Sequence, residues 1–373
     1  MRVAIVACNV IKNRLSSVEK VFGTHEIKIF TSDFSHTEKK QKCDEPRYDY
    51  IATKQYKKNL SIKRLISHID FSKKVYDELR KFKPEIVYVQ VPPNSLVKQC
   101  VRYRKESGCK LVFDLTDMWP ESLPVSGIKK ILALPIIRLW RKRRDKYIRH
   151  AELVITECDL FKKMLIERHV KLPNCETIYL CHDPIEVLKP DLPIDGIGFC
   201  YLGAINNIID IDRIIALLCE INKKRKVRIT IIGDGEMRES FIKSLQISNI
   251  EFNYMGKIYD ANVKSTVFSQ CHFGLNVYKK NLAIGLTIKS LDYFQCGLPI
   301  INTIKHDTWD LVGEYHAGIN MENIENTAEE ILALSNNDLI NMRERVRTMF
   351  GEKFTCKIVQ EKFEKILTSI TPN

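Results

Sequence analysis

No Cys-x-x-C pair occurs in this chain, although 12 cysteines stand among its 373 residues. They are scattered singly, which argues for neither a zinc site nor a disulfide framework and suits a reducing cytoplasm. Long apolar runs are missing too. The opening run Val3-Ala4-Ile5-Val6-Ala7 is too short for a signal peptide or a membrane span, so a soluble or peripheral cytoplasmic protein is expected. There is no internal repeat and no low-complexity segment. The first strand ends in Cys8-Asn9-Val10-Ile11 without a glycine, so the dinucleotide fingerprint is absent where it normally stands. Local patterns assemble no Ser-His-Asp or Cys-His nucleophile pair. At 45% hydrophobic and 28% charged residues, the composition excludes a disordered chain.

What is present is an alternation of short apolar runs with helical patterns, the mark of parallel α/β domains. Strands are expected at Val3–Ala7, Glu26–Phe30, Glu85–Val91, Lys110–Phe113, Glu152–Thr156 and Thr177–Leu180 in the first half. In the second they are expected at Gly198–Leu202, Val227–Ile232, Ile250–Tyr254, Phe273–Val277, Leu298–Asn302 and Gly318–Met321. Helices such as Phe71–Lys81, Asp210–Asn222 and Glu236–Leu245 fall between them. This length exceeds one ordinary core, so two doubly wound domains follow. Pro184, Pro190, Pro193 and Gly196 mark the join. The expected division is 1–186, 187–350, and a terminal segment 351–373. Its helix carries Val359, Phe363, Ile366 and Ile370 on one stripe and packs back toward the first domain.

Charge is uneven. Met1–Glu186 holds 37 Lys and Arg against 23 Asp and Glu, a balance of +14, while the remainder stands at −1. A general solubility charge would be shared, so the first half is expected to meet an anionic surface. The stretch Ile128–His150 begins apolar, with Ile131, Leu132, Leu134, Ile136, Ile137, Leu139 and Trp140. It then turns into Arg141-Lys142-Arg143-Arg144. Such a stretch suits an interfacial helix on an anionic membrane, and a second basic segment, Lys54–Ile66, is placed to join it. A buried helix with a solvated basic end fits the same pattern. Nucleic acid is not expected, for no binding motif is present.

The most informative segment is Gly285–Ile300. It reads as a loop, a short helix with Lys289 and Asp292 on nearly one face, a Gly297 stop, and Pro299 leading into a buried strand. The free N–H groups at that helix start attract an anion, and a lysine and a carboxylate there suit a diphosphate and its ribose. An ordinary loop-helix-strand unit with solvated charges reads the same way. Ahead of it stand Tyr201-x-Gly203, Ile-Ile-Gly233-Asp-Gly235 and Met255-Gly256-Lys257, each closing a strand.

In that order, these motifs resemble the donor domain of the GT-B nucleotide-sugar glycosyltransferases, in the large retaining group called family 4 or group 1. The family's motif Glu-Ala-Met-Ala-x-Gly-x-Pro-Val is replaced by Asp292-Tyr-Phe-Gln-Cys-Gly297-Leu-Pro299-Ile300. The resemblance implies that Asp292 takes the ribose, that the backbone of Leu286, Thr287 and Ile288 binds the diphosphate, and that the reaction retains configuration without a metal or cofactor. Two departures stand out: Ile284 occupies the position of a second acidic residue, and the usual Arg/Lys pair after Gly203 is missing. Neutralising the leaving diphosphate then falls to Lys289, with Lys279 or Lys280 as helpers.

In the first half, Asp114-Leu-Thr-Asp117-Met-Trp119-Pro120-Glu121 follows an apolar strand and resembles a branch that builds bacterial surface polysaccharides. Asp114, Asp117, Trp119 and Glu121 are candidates for the acceptor side, with Asp117 or Glu121 available as base; a capped helix start fits as well. His182, at a strand end, is an acceptor-side candidate or a packed histidine. The resulting expectation is a glycosyltransferase peripheral on the inner face of the plasma membrane. It would move sugar from a nucleoside-diphosphate sugar to a lipid-linked polyprenyl-diphosphate saccharide as two Rossmann-like domains close over a cleft. A GT-B nucleotide-sugar 2-epimerase and a silent GT-B scaffold are the alternatives.

Overall fold

The computed structural model describes residues 1–36, 38–58, 61–123, 127–172, 174–193 and 195–370, with the side chains of 127–133 left out. Ile131 and Leu132 as side chains, and residues 59–60 of the second basic segment, therefore lie outside the described part. The chain forms two compact units, one of Met1–Tyr179 with the segment from Val359 onward, the other of Leu180–Ile358.

In the first unit the strands are β1 (Arg2–Ala7), β2 (Glu26–Ser32), β3 (Asp49–Ile51), β4 (Ile86–Val91), β5 (Lys110–Leu115), β6 (Leu153–Thr156) and β7 (Cys175–Thr177). They form one sheet in the order β3-β2-β1-β4-β5-β6-β7, with every pairing parallel. The second unit holds β8 (Ile197–Leu202), β9 (Val227–Ile232), β10 (Glu251–Gly256), β11 (Phe273–Asn276), β12 (Ile300–Asn302) and β13 (Gly318–Asn320), also all parallel, in the order β10-β9-β8-β11-β12-β13. Both are doubly wound sheets of the Rossmann kind, as the alternating pattern anticipates. Strand order reverses between β1 and β4 in one sheet and between β8 and β11 in the other, which is where such sheets take ligands.

Burial explains why these segments read as unbroken apolar runs. Every residue of β4 and β8 is buried, because helices cover both faces of a parallel sheet. The edge strand β10 instead alternates between exposed and half-buried positions. Where expectation and structure differ, the cause is local. The three-residue edge strand β3 carries too little apolar sequence to be seen. The helix expected over Phe71–Lys81 runs over Ile62–Phe82, since the Ser61 side chain caps it by accepting from Arg64 N–H. Its added turns bury Arg64, Ser67 and His68 rather than aliphatic residues, so they leave no apolar core signature. In the last helix, Cys356–Thr368, Val359, Phe363 and Leu367 are buried, and Phe363 lies against the Tyr88 ring and the Arg14 guanidinium.

Candidate functional site

The carboxyl ends of β8, β9 and β11 in the second unit surround a cavity of about 720 Å³, lined by Tyr201, Gly203, Gly233, Tyr278, Lys289 and Asp292 among others. Lys289 sits in the first turn of the helix Ile288–Gln295 and is 7% exposed. Its ammonium has no hydrogen-bond partner among the described residues. It lies over two tyrosine faces instead, 4.7 Å from the Tyr201 ring centre and 4.3 Å from that of Tyr278. Burial pushes its pKa down to about 7. The aromatic faces favour the ammonium form and offset part of that cost.

The helix start is built to leave donors open. Thr287 caps it, accepting from Ser290 N–H while its own hydroxyl donates to Asn276 Oδ1 at 3.1 Å. Among the described residues nothing bonds the N–H groups of Ile288 and Lys289, and both residues line the cavity together with Thr287. Leu286 does not line it. A cation and unpaired N–H groups at one helix end form an anion seat.

Asp292, one turn further on, is not bare. Lys264 Nζ lies 2.5 Å from its Oδ1 and His182 Nε2 3.3 Å from the same oxygen. Burial alone would raise this carboxyl, but the adjacent His182 imidazole and the hydrogen bond and charge of Lys264 hold it below its ordinary value. His182, a candidate for the acceptor side, thus stands on the Asp292 wall of this cavity. Lys264, from the helix Ala261–Ser269, was not anticipated, nor were the Tyr201 and Tyr278 rings. Each reaches the site by folding rather than by sequence spacing. Lys279 and Lys280 line a neighbouring cavity of about 510 Å³ with Arg213 and Lys305, not the one that holds Lys289.

The three glycines divide by role. A Cβ on Gly233 would stand 1.9 Å from Gly203 O, and one on Gly235 would stand 2.3 Å from Ile205 O, so both permit loop-on-loop packing, Gly233 in the cavity wall and Gly235 outside its lining. Gly203, at φ +113°, faces Lys289, whose Cδ would lie 3.8 Å from an added Cβ. Lys257 is exposed, with its ammonium 3.6 Å from Asp234 at the rim.

In the first unit the anticipated acceptor motif comes apart. Asp114 is fully buried. Arg14 grips it with bonds of 2.5 and 2.6 Å, and the Tyr88 hydroxyl donates to it as well. No ligand can reach it, which removes it from the acceptor side. Glu121 pairs with Arg144 at 2.8 Å and Arg168 at 2.7 Å, so it braces the loop and is spent as a base. Trp119 is 8% exposed, stacked on His68, beneath the Arg64 guanidinium and edge-on to Trp140, and offers no free face to a sugar. Asp117 remains. It is half-buried, accepts from the Ser122 hydroxyl, and burial raises its pKa. Glu157, which the sequence did not single out, follows β6 on the same sheet edge, and burial pushes its carboxyl up to about 8.

The expected membrane cations also divide. Arg144 is buried in its pairs with Glu121 and Asp145 and cannot meet a headgroup. Trp140 turns toward Trp119, whereas Lys142 and Arg143 are exposed and Arg141 is half-exposed. Among the described residues, no helix is long and apolar enough to cross a membrane.

Residues 197–337, which line the cavity apart from His182, match the family described as glycosyl transferases group 1. Known structures share the architecture over the whole chain. Sucrose-phosphate synthase from Thermosynechococcus elongatus is 12% identical with a TM-score of 0.75, covering 99% of each chain. The apo lipopolysaccharide outer core galactosyltransferase WaaB is 14% identical with a TM-score of 0.68, covering all of both chains. HepE from Anabaena, solved in complex with UDP, is 10% identical with a TM-score of 0.70, covering 99% of this chain and 100% of its own. No curated protein sequence matches. The fold is GT-B, and the family match over the second unit supports a glycosyltransferase of that type.

Proposed function

We propose that this protein is a retaining glycosyltransferase, taking a nucleoside-diphosphate sugar in its second unit and passing the sugar to a lipid-linked saccharide, a polyprenyl-diphosphate acceptor of surface-polysaccharide synthesis. One observation carries the donor assignment: a buried, unpartnered lysine ammonium at the switch point, beside open helix N–H groups. Burying a cation without a counter-ion is unfavourable, and the bound diphosphate is the counter-ion that relieves it. As the glycosidic bond breaks, charge grows on the leaving diphosphate, and Lys289 with the Ile288 and Lys289 N–H groups receives it. Both contacts of Asp292 go to Oδ1, which leaves Oδ2 for a ribose hydroxyl and fixes its direction. HepE was solved with UDP and with UDP-glucose, and this likeness makes a uridine nucleotide the first to test here.

On the acceptor side we assign Asp117, the carboxylate of its motif that is neither sealed in the core nor spent in ion pairs. The lipid-linked acceptor reading rests on the charge of +14 over Met1–Glu186, and with it goes a position on the cytoplasmic face of a membrane. Thermal-shift measurements with nucleoside diphosphates and nucleotide sugars test the donor site. Stabilisation of the intact protein that is lost in Lys289→Met is expected; no response to any nucleotide removes the assignment.

A further inference from the structure

The helix Ile62–Phe82 changes character halfway along its outer face. Its inner face buries His68, Phe71, Val75 and Leu79 throughout. On the opposite side the first turns present Ile62, Leu65, Ile66 and Ile69, which are 75%, 36%, 45% and 48% exposed. Their spacing of three, four and seven sets them in one stripe, turned away from the core. Beyond Ile69 the same side carries Lys73 and Arg80, as an ordinary solvated helix does. A soluble surface has no use for four aligned aliphatic side chains at the start of a helix, where they contribute nothing to folding.

A second exposed pair, Ile136 and Leu139, at 67% and 69%, lies on the helix Gly127–Ile148. Trp119 joins the two helices, with its ring stacked 5.8 Å from His68 on one and 6.1 Å from Trp140 on the other. Within the two segments that carry these apolar residues the charge has one sign, with Asp70 standing just past the stripe. No acidic residue occurs from Lys54 to Ile69 or from Gly127 to Arg144, and Lys57, Lys58, Lys63, Arg138, Lys142 and Arg143 are all exposed.

We propose that this stripe, with Ile136 and Leu139, is the surface by which the first unit docks on an anionic lipid bilayer. The isoleucines would enter the acyl boundary and the flanking lysines and arginines would meet headgroup phosphates. The inference rests on the lipid-linked acceptor reading and moves its membrane contact from the cluster at Trp140–Arg144 to the outer face of the helix Ile62–Phe82. Charge complementarity selects the bilayer over a second copy of the chain, since two such cationic surfaces repel.

Flotation of the full chain with vesicles decides it. Wild-type protein should float with vesicles of phosphatidylcholine and phosphatidylglycerol, lose that binding at high salt, and stay behind with phosphatidylcholine alone. The triple variant I62S/I66S/I69S should bind at least about tenfold more weakly, and K57E/K58E/K63E should lose the preference for anionic lipid. Because these side chains are exposed, both variants should melt with the wild type. Wild-type protein that ignores anionic vesicles, or a triple variant that binds them as wild type does, overturns the proposal. So does a concentration-dependent dimer that the triple variant abolishes without any flotation. A nucleotide titration on the same samples separates the two readings. Nucleotide binding without flotation removes this surface alone; flotation without nucleotide binding removes the donor site and leaves the surface.

Discussion

The two units share one strand order up to the added edge strand β7, yet treat charge at their strand ends in opposite ways. In the first, the charged residues of the loop motif are satisfied internally. Arg14 closes on Asp114, and Arg144 and Arg168 close on Glu121. In the second, Lys289 is also buried but has no hydrogen-bonding partner among the described residues. A paired buried charge holds a fold together, whereas an unpaired one waits for a ligand. Burial and charge alone do not mark a site; the missing partner does.

Substitution at the two buried cations should separate these roles most sharply. Arg14→Met leaves Asp114 buried without its counter-ion and should cost about 3–5 kcal/mol in urea unfolding. Nucleotide affinity of the folded fraction should not change. Lys289→Met should do the reverse. In the ligand-free protein it removes an unpaired cation, so stability at neutral pH should rise by about 1–3 kcal/mol. Nucleoside-diphosphate affinity should fall about 10- to 100-fold, the worth of a charge-assisted contact. If both variants lost stability equally, the contrast between the units would vanish.

The pH dependence sharpens the same comparison. The folded value for Lys289, about 7, lies below the ordinary 10.5. Between those values the unfolded chain holds a proton that the folded chain has released, so stability rises with pH across this window. The penalty is fully present below pH 7 and is relieved as pH approaches 10.5. A bound diphosphate raises the lysine pKa, so binding takes up a proton, and affinity should weaken as pH climbs above 7. Calorimetry in buffers of different ionisation enthalpy reads that uptake directly, and Lys289→Met should abolish it.

Smaller effects are expected in the acceptor loop. Asp117→Asn should lower turnover with little change in melting temperature, since the amide oxygen can still accept from Ser122, Trp119 and the Met118 N–H. Glu121→Gln should lower the melting temperature by weakening the pairs to Arg144 and Arg168, while KM for the nucleotide sugar stays unchanged. Paired measurements of turnover and melting on both variants check this. The opposite pattern would return Glu121 to the acceptor side.

The sequence was most legible where the physics is local. Alternating apolar runs gave away both parallel sheets, because buried strands must be apolar on both faces. The Gly297 stop and the closeness of Lys289 to Asp292 both act within a few residues. What escaped was partnership at long range. Nothing near Asp114 shows that Arg14, 100 positions earlier, will neutralise it, and nothing near Asp292 points to Lys264. Tyr201 lies in β8 and Tyr278 just beyond β11, and their faces become a cation seat only once those strands lie side by side. The exposed stripe at Ile62–Ile69 was hidden for a related reason. A pattern of apolar spacing shows that residues share a helix face, not which face the core covers.

The central claim is that Lys289 is a buried cation awaiting a diphosphate. Its most direct test is titration calorimetry of UDP into wild-type protein and Lys289→Met at pH 7. Binding with proton uptake by the wild type, and affinity reduced at least about tenfold in the variant, is the expected result. UDP binding of equal strength in both proteins, or none in the wild type with a panel of other nucleoside diphosphates equally silent, would contradict it.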